Sequence, residues 1–175
     1  MANDVIVRGR FKLFTVIPTV QATPDYAAGD VLFAPTEIPN LFTDTGSSCI
    51  LKSICIIDKQ IDASHAFTLN FTYSSTALGT INATADVSVG TLEEIQATIP
   101  IVNGDWIAGG GAGSVDNANV ATITNPAVDG IGSVLQGSNW AGSSQSRDIH
   151  VVGIAGEAMN VASTSDLIIK IGVEY

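Results

Sequence analysis

The run Ala66-Phe-Thr-Leu-Asn-Phe-Thr-Tyr73 sets Phe67, Leu69, Phe71 and Tyr73 against Thr68, Asn70 and Thr72. Such alternation predicts a strand with one buried and one wet face. Phe11, Leu13, Thr15 and Ile17 share one parity of a second stretch, while Arg8, Arg10 and Lys12 share the other. This predicts a strand whose beginning shows a basic outer face, with Pro18 marking an edge position or the strand's end. Cys49-Ile-Leu-Lys-Ser-Ile-Cys-Ile-Ile57 is apolar on both parities, the pattern of a strand in the middle of a covered sheet. Turn residues Asp58-Lys-Gln-Ile-Asp62 separate this run from 66–73, so an antiparallel hairpin is the simplest pairing and a loop crossing the alternative.

Elsewhere the signals are shorter. Tyr26-Ala-Ala-Gly29-Asp30 reads as a turn opening a short strand to Phe33, and residues 34–48, with two prolines, read as a loop. Thr91-Leu-Glu-Glu94 fits a capping box before a brief helix ending near Ala97. Thr98–Val102 reads as a strand that Pro100 keeps from being fully paired on both sides. Residues 104–114 and 136–147 read as loops, each carrying one Trp, with a weak strand at Val120–Ile123 between them. Ile149–Ala155 and Leu167–Tyr175 close the chain as two strands joined by a turn-rich segment. Many short strands with long connections and almost no helix predict an all-β fold, a jelly-roll-like antiparallel β-sandwich with at most one short helix. No internal boundary divides it, so residues 1–10 are expected to form an N-terminal arm and 11–175 a single domain.

Composition narrows the function classes. Charged residues are 14% of the 175, against ~25% in an ordinary soluble domain. Seventeen Asp and Glu against seven Lys and Arg give a net charge of -10. That balance repels phosphate and argues against a sequence-independent grip on nucleic acid. No apolar run approaches the ~18 residues of a spanning helix, so no membrane partner is expected. Asp4 and Arg8 stand where a signal peptide needs its apolar stretch, which predicts a protein kept in, or assembled from, a cytoplasm. Cys49 and Cys55 would lie roughly 20 Å apart along one strand, too far for a disulfide, and are expected to stay reduced.

Candidate chemistry is sparse. His65 and His150 have no Gly-x-Ser-x-Gly elbow beside them and no ligand spacing for zinc, so each reads as an ordinary surface or half-buried histidine. Asp116-Asn-Ala-Asn119 and Asp129 form an oxygen-rich loop region of the kind that seldom binds calcium. Gly109-Gly-Gly-Ala-Gly113 lacks the Lys and Ser/Thr of a phosphate loop. Glu93 and Glu94 are paired carboxylates without the aromatic-lined cleft of a glycosidase. Trp106 and Trp140 fit either two walls of a sugar or partner surface or, the preferred account, clamps tucking long loops onto the sandwich. No catalytic residue, metal site or cofactor is assigned, and the chain is not expected to be an enzyme.

The order of elements nevertheless resembles a known family. Tyr26-Ala-Ala-Gly-Asp30, Gly46-Ser-Ser-Cys-Ile-Leu-Lys-Ser-Ile-Cys-Ile-Ile-Asp58 and Phe67-Thr-Leu-Asn-Phe71 are similar to the opening of a family of tailed-phage virion proteins. Its pattern is a Y-x-x-G-D turn, a G-x-x-x-x-L-x-S-V strand (here with Ile54 for Val) and an aromatic-rich strand. Leu92-Glu-Glu-Ile-Gln-Ala-Thr-Ile-Pro-Ile with Asp105-Trp106 resembles the family's helix, strand and D-W segment. Val152-Gly-Ile-Ala-Gly-Glu-Ala and Ser163-Thr-Ser-Asp-Leu-Ile-Ile-Lys-Ile-Gly172 resemble its closing S-x-S-D-L hairpin.

The resemblance implies a capsid decoration, or cement, protein on the virion surface, assembled in the host cytoplasm. Its expected partners are the major capsid protein and further copies of itself in a homotrimer. The alternative is a carbohydrate- or receptor-binding module of a tail or fibre, with Trp106 and Trp140 as its platform. Arg8, Arg10 and Lys12 are the candidate contact residues for an acidic partner surface, against the plainer account of a charged edge that discourages strand pairing.

Overall fold

A computed structural model describes residues 10–42, 47–59, 65–108, 119–124, 131–137, 149–161 and 163–175. Ten strands are defined in this part of the chain: β1 (Phe11–Val16), β2 (Val31–Ile38), β3 (Ser48–Asp58), β4 (Phe67–Thr72), β5 (Ile95–Ile101), β6 (Trp106–Ala108), β7 (Asn119–Ile123), β8 (Val134–Gln136), β9 (Ile149–Ala155) and β10 (Leu167–Glu174). A single turn of helix, α1 (Val89–Leu92), precedes β5. A 3-10 turn at Asn103–Asp105 precedes β6.

The strands form two antiparallel sheets. The six-stranded sheet runs β1-β10-β3-β7-β6, with β8 beside the start of β3, and the four-stranded sheet runs β2-β9-β4-β5. Between β1 and β4, and again between β8 and β10, every step along the chain changes sheets. Such interleaving is a jelly roll. The all-β sandwich read from the alternation is therefore the fold.

The core lies between the sheets. Phe67, Leu69 and Phe71 of β4 face Ile54 and Ile56 of β3 and Ile169 and Ile171 of β10 in one continuous cluster. A second, small cluster lies on the far side of the four-stranded sheet. There Val31, Leu78 and Val152 are buried beneath Ala85 and Val87, so the excursion between β4 and β5 covers that end of the outer face.

Three turns share one device. In Ala27–Asp30, Val102–Asp105 and Ser163–Asp166 the first residue's N–H donates to the aspartate Oδ2, at 2.8, 2.8 and 2.7 Å. In each, the aspartate N–H returns a bond to the first residue's carbonyl. The residue after each aspartate begins a strand, namely β2, β6 and β10. A carboxylate that takes up a turn's free N–H lets the chain pass into a strand without an orphaned donor. Gly29 completes the first turn at φ +90, where a side chain would be strained.

Several expectations are corrected. β3 and β4 do not form a hairpin: β3 pairs with β10, β7 and β8, while β4 pairs with β5 and β9. Apolar residues on the inner face of each strand close the core best from opposite sheets, so the loop-crossing alternative holds. β9 and β10 likewise lie in different sheets rather than in a closing hairpin. β2 continues to Ile38 through what reads as loop, because it is an edge strand and Pro35 falls where its ladder with β9 is irregular. The helix is earlier and shorter than the capping box suggests. Ser88 caps it, accepting from Thr91 N–H at 3.2 Å, and Ile95 already belongs to β5. Short strand β6 lies within the predicted loop 104–114, and β8 ends at Gln136, where the second predicted loop begins.

The largest correction concerns β1. Phe11, Leu13 and Ile17 point outward and are exposed, while Val16, Pro18 and Val20 are buried and Phe14 is half-buried. Among the described residues the outward parity of β1 is therefore apolar rather than basic, because parity is set at the interior end of the strand, where Phe14, Val16, Pro18 and Val20 enter the core in succession. Lys12 shares that inward parity but stands at the end of the sheet, its Nζ 5.1 Å from the centre of the Tyr175 ring. The residue stays exposed, with its ammonium over the ring face.

Candidate interaction surface

The outer face of the six-stranded sheet is the most unusual surface among the described residues. Strand pairing places Ile107 opposite Val120, Val120 opposite Ile57, and Ile57 opposite Ile168, a row of branched apolar side chains across four strands. Ile17 lies just past the end of β1 at the same end of the sheet. A second row joins Phe11, Glu174, Ile50 and Val134 across β1, β10, β3 and β8. Between the rows lie Leu13, Gly172 and Ser53, then Thr15, Lys170, Cys55 and Thr122.

Nine large hydrophobic residues are exposed among those described, and six of them (Phe11, Leu13, Ile17, Ile50, Ile107 and Val134) belong to this face or its margin. Ile107 is 73% exposed and Phe11 59%. Single exposed apolar residues are ordinary, whereas a contiguous set on one face makes that face a candidate interaction surface. Gly172 makes room for it, since a Cβ there would come 2.7 Å from the Phe11 ring. The ring thus lies across a gap in β10 instead of standing away from the sheet.

A bulge explains why both parities of β3 are apolar. Register slips between Gly172 and Val173, so Lys52 and Ser53 both turn outward and the strand changes face. Cys49, six positions before Cys55, is consequently buried, while Cys55 is half-buried on the outer face. Both are free thiols, and burial pushes the Cys49 thiol up to about 12.

Charge divides between the two sheets. The five described basic residues, Arg10, Lys12, Lys52, Lys59 and Lys170, all lie on or beside β1, β3 and β10. No described Lys or Arg lies on the four-stranded sheet or its 74–94 excursion, where Glu37, Asp86, Glu93 and Glu94 stand. One ion pair, Lys52 to Glu174 at 3.2 Å, is exposed and adds little to stability.

The structure disperses the other sequence candidates. Arg10 is exposed before β1, and its carbonyl accepts from Tyr175 N–H at 3.1 Å. Trp106 is half-buried, donating from Nε1 to the His65 carbonyl at 2.9 Å, its ring centre 6.2 Å from that of Phe67. It ties its segment to the sandwich. Arg8, Trp140, Asp116, Asp129 and Gly109–Gly113 lie outside the described residues.

Sequence reasoning passed over one buried polar pair. Asp58 closes β3 and His65 precedes β4, with Nε2 and Oδ2 3.9 Å apart and both residues buried. Burial holds the His65 imidazole below its ordinary value, partly offset by the Glu157 carboxylate. Glu157 in turn accepts from Ala66 N–H at 2.9 Å and Asn103 Nδ2 at 3.2 Å, which holds its carboxyl below the usual range. This cluster stitches the two sheets together at one end of the sandwich.

Among the described residues, no helix is long and apolar enough to cross a membrane. No protein-family model and no curated protein matches the chain.

Proposed function

We propose that this chain is a structural protein of a tailed-phage virion, a capsid decoration protein that binds the major capsid protein and itself. The observation that carries this reading is the outer face of the six-stranded sheet, two largely apolar rows with Lys170 and the Lys52–Glu174 pair among them. Side chains of this kind leave water favourably when a second flat surface covers them, at ~25 cal/mol per Å². A jelly roll is also an architecture of capsid proteins, though it hosts lectins as well, so fold alone argues only by analogy. The motif order that resembles the phage family adds support from the sequence. Its G-D, D-W and S-D-L elements coincide with the three aspartate-closed turns, so what the resemblance compares is largely strand-entry chemistry.

The competing tail or fibre reading needs a two-tryptophan platform, and the packing of Trp106 against Phe67 weakens it. Co-sedimentation with empty shells assembled from the major capsid protein, beside a glycan array, separates the two readings. Saturable binding to shells without glycan binding is expected. Glycan binding without shell binding would overturn the proposal in favour of the fibre module.

A further inference from the structure

We infer that copies of this chain associate head to tail, the outer face of the six-stranded sheet of one copy receiving the α1 corner of the next. Val89 and Leu92 of α1 are exposed, Val89 at 75%, although both are large and apolar. Asp86, Glu93 and Glu94 surround them in sequence, and no Lys or Arg lies between residues 60 and 146. The sheet face has a cationic excess: Lys170 stands between the apolar rows, Lys52 pairs with Glu174 beside them, and Arg10 and Lys59 lie near the sheet's ends. An apolar knob flanked in sequence by carboxylates therefore meets an apolar plate with an excess of cationic side chains.

Complementarity of sign and of apolar cover selects this pairing over the alternatives within the chain. Two α1 corners would oppose carboxylates, and two sheet faces would leave Val89 and Leu92 uncovered, whereas the sheet face against the α1 corner covers both apolar sets and brings Lys170 to carboxylates. The contact is between different surfaces, so copies close into a ring when the rotation permits and extend as a filament when it does not. The proposal supplies a surface for the self-association in the decoration reading and rests on that reading only for its homo-oligomer.

Sedimentation velocity of the purified chain over a range of concentrations tests it with two charge-reversed variants. Lys52→Glu/Lys170→Glu alters the plate, and Asp86→Lys/Glu93→Lys alters the knob. All four positions are polar and outside the core, and melting curves check that both variants fold. Each alone is expected to associate about tenfold more weakly, the scale of two rim ion pairs turned repulsive. Mixed together they should associate with each other, because every plate then finds a knob of opposite sign. A wild-type chain that stays monomeric at every concentration overturns the inference, as does a mixture no better than its components. Shell binding is measured separately: a monomer that loads onto shells defeats this interface and spares the decoration reading, and association without loading does the reverse.

Discussion

The two outer faces of the sandwich treat apolar residues differently. On the four-stranded sheet, Val152 and Ile154 of β9 point away from the main core, yet Val152 is buried and Ile154 half-buried. Leu78, Ala85 and Val87 of the excursion supply their cover. Elsewhere on that face Thr98 Oγ1 donates to Asn70 Oδ1 at 2.9 Å. On the six-stranded sheet, Ile107, Val120, Ile57 and Ile168 point outward with no comparable cover among the described residues. One face is completed by the chain's own fold. The other keeps its apolar rows uncovered among the described residues.

That contrast predicts opposite outcomes for similar substitutions. Leu78→Ala, beneath the excursion, should cost about 2–5 kcal/mol, the usual range for a buried leucine, measured by urea denaturation. Leu13→Ser, on the open face, should stay within about 0.5 kcal/mol of wild type while weakening self-association. A large stability loss at Leu13 would mean that the face is already covered within one copy.

The aspartate-closed turns serve both sheets, so their loss should not discriminate between the faces. Asp30→Ala before β2 and Asp166→Ala before β10 each leave a part-buried N–H without its acceptor. Each should cost about 1–3 kcal/mol, and Asn at either position should recover most of it.

A smaller effect is expected at the Asp58–His65 seam between the sheets. Because burial lowers the His65 value from 6.5, the unfolded chain takes up a proton more readily than the fold does. The contribution of His65 is therefore complete above about pH 6.5 and is lost as pH falls below it toward the folded value. Thermal melts from pH 7.5 downward should show this decline, and His65→Gln should flatten it. Glu157, whose value is lowered from 4.5, adds a second loss only as pH falls below that value.

Much of the fold was legible in single strands. Phe67, Leu69 and Phe71 alternate cleanly because one face of β4 meets the core and the other is polar. β1 misled because both of its parities carry apolar residues, and the deciding ones, Val16, Pro18 and Val20, lie at its far end. Strand pairing was illegible, since a turn such as 58–62 serves a hairpin or a crossing equally well and distant partners decide between them. The interaction surface had one sequence signal, the doubly apolar run 49–57. Its two apolar parities satisfy the core and the open face in turn, through a bulge at Lys52 and Ser53 that alternation alone does not reveal. The rest of that surface comes from five separate strands, brought into rows only by register.

Cys55 tests the central claim directly, because it lies between the two apolar rows and reports whether that face is covered. Timed maleimide labelling with intact-mass and peptide analysis should modify Cys55 in dilute protein and leave the core thiol Cys49, held up near 12, untouched. As concentration rises and copies associate, Cys55 labelling should slow in proportion to the associated fraction. Unchanged Cys55 labelling in protein that sedimentation shows to be associated would contradict the account and move the interface to another face.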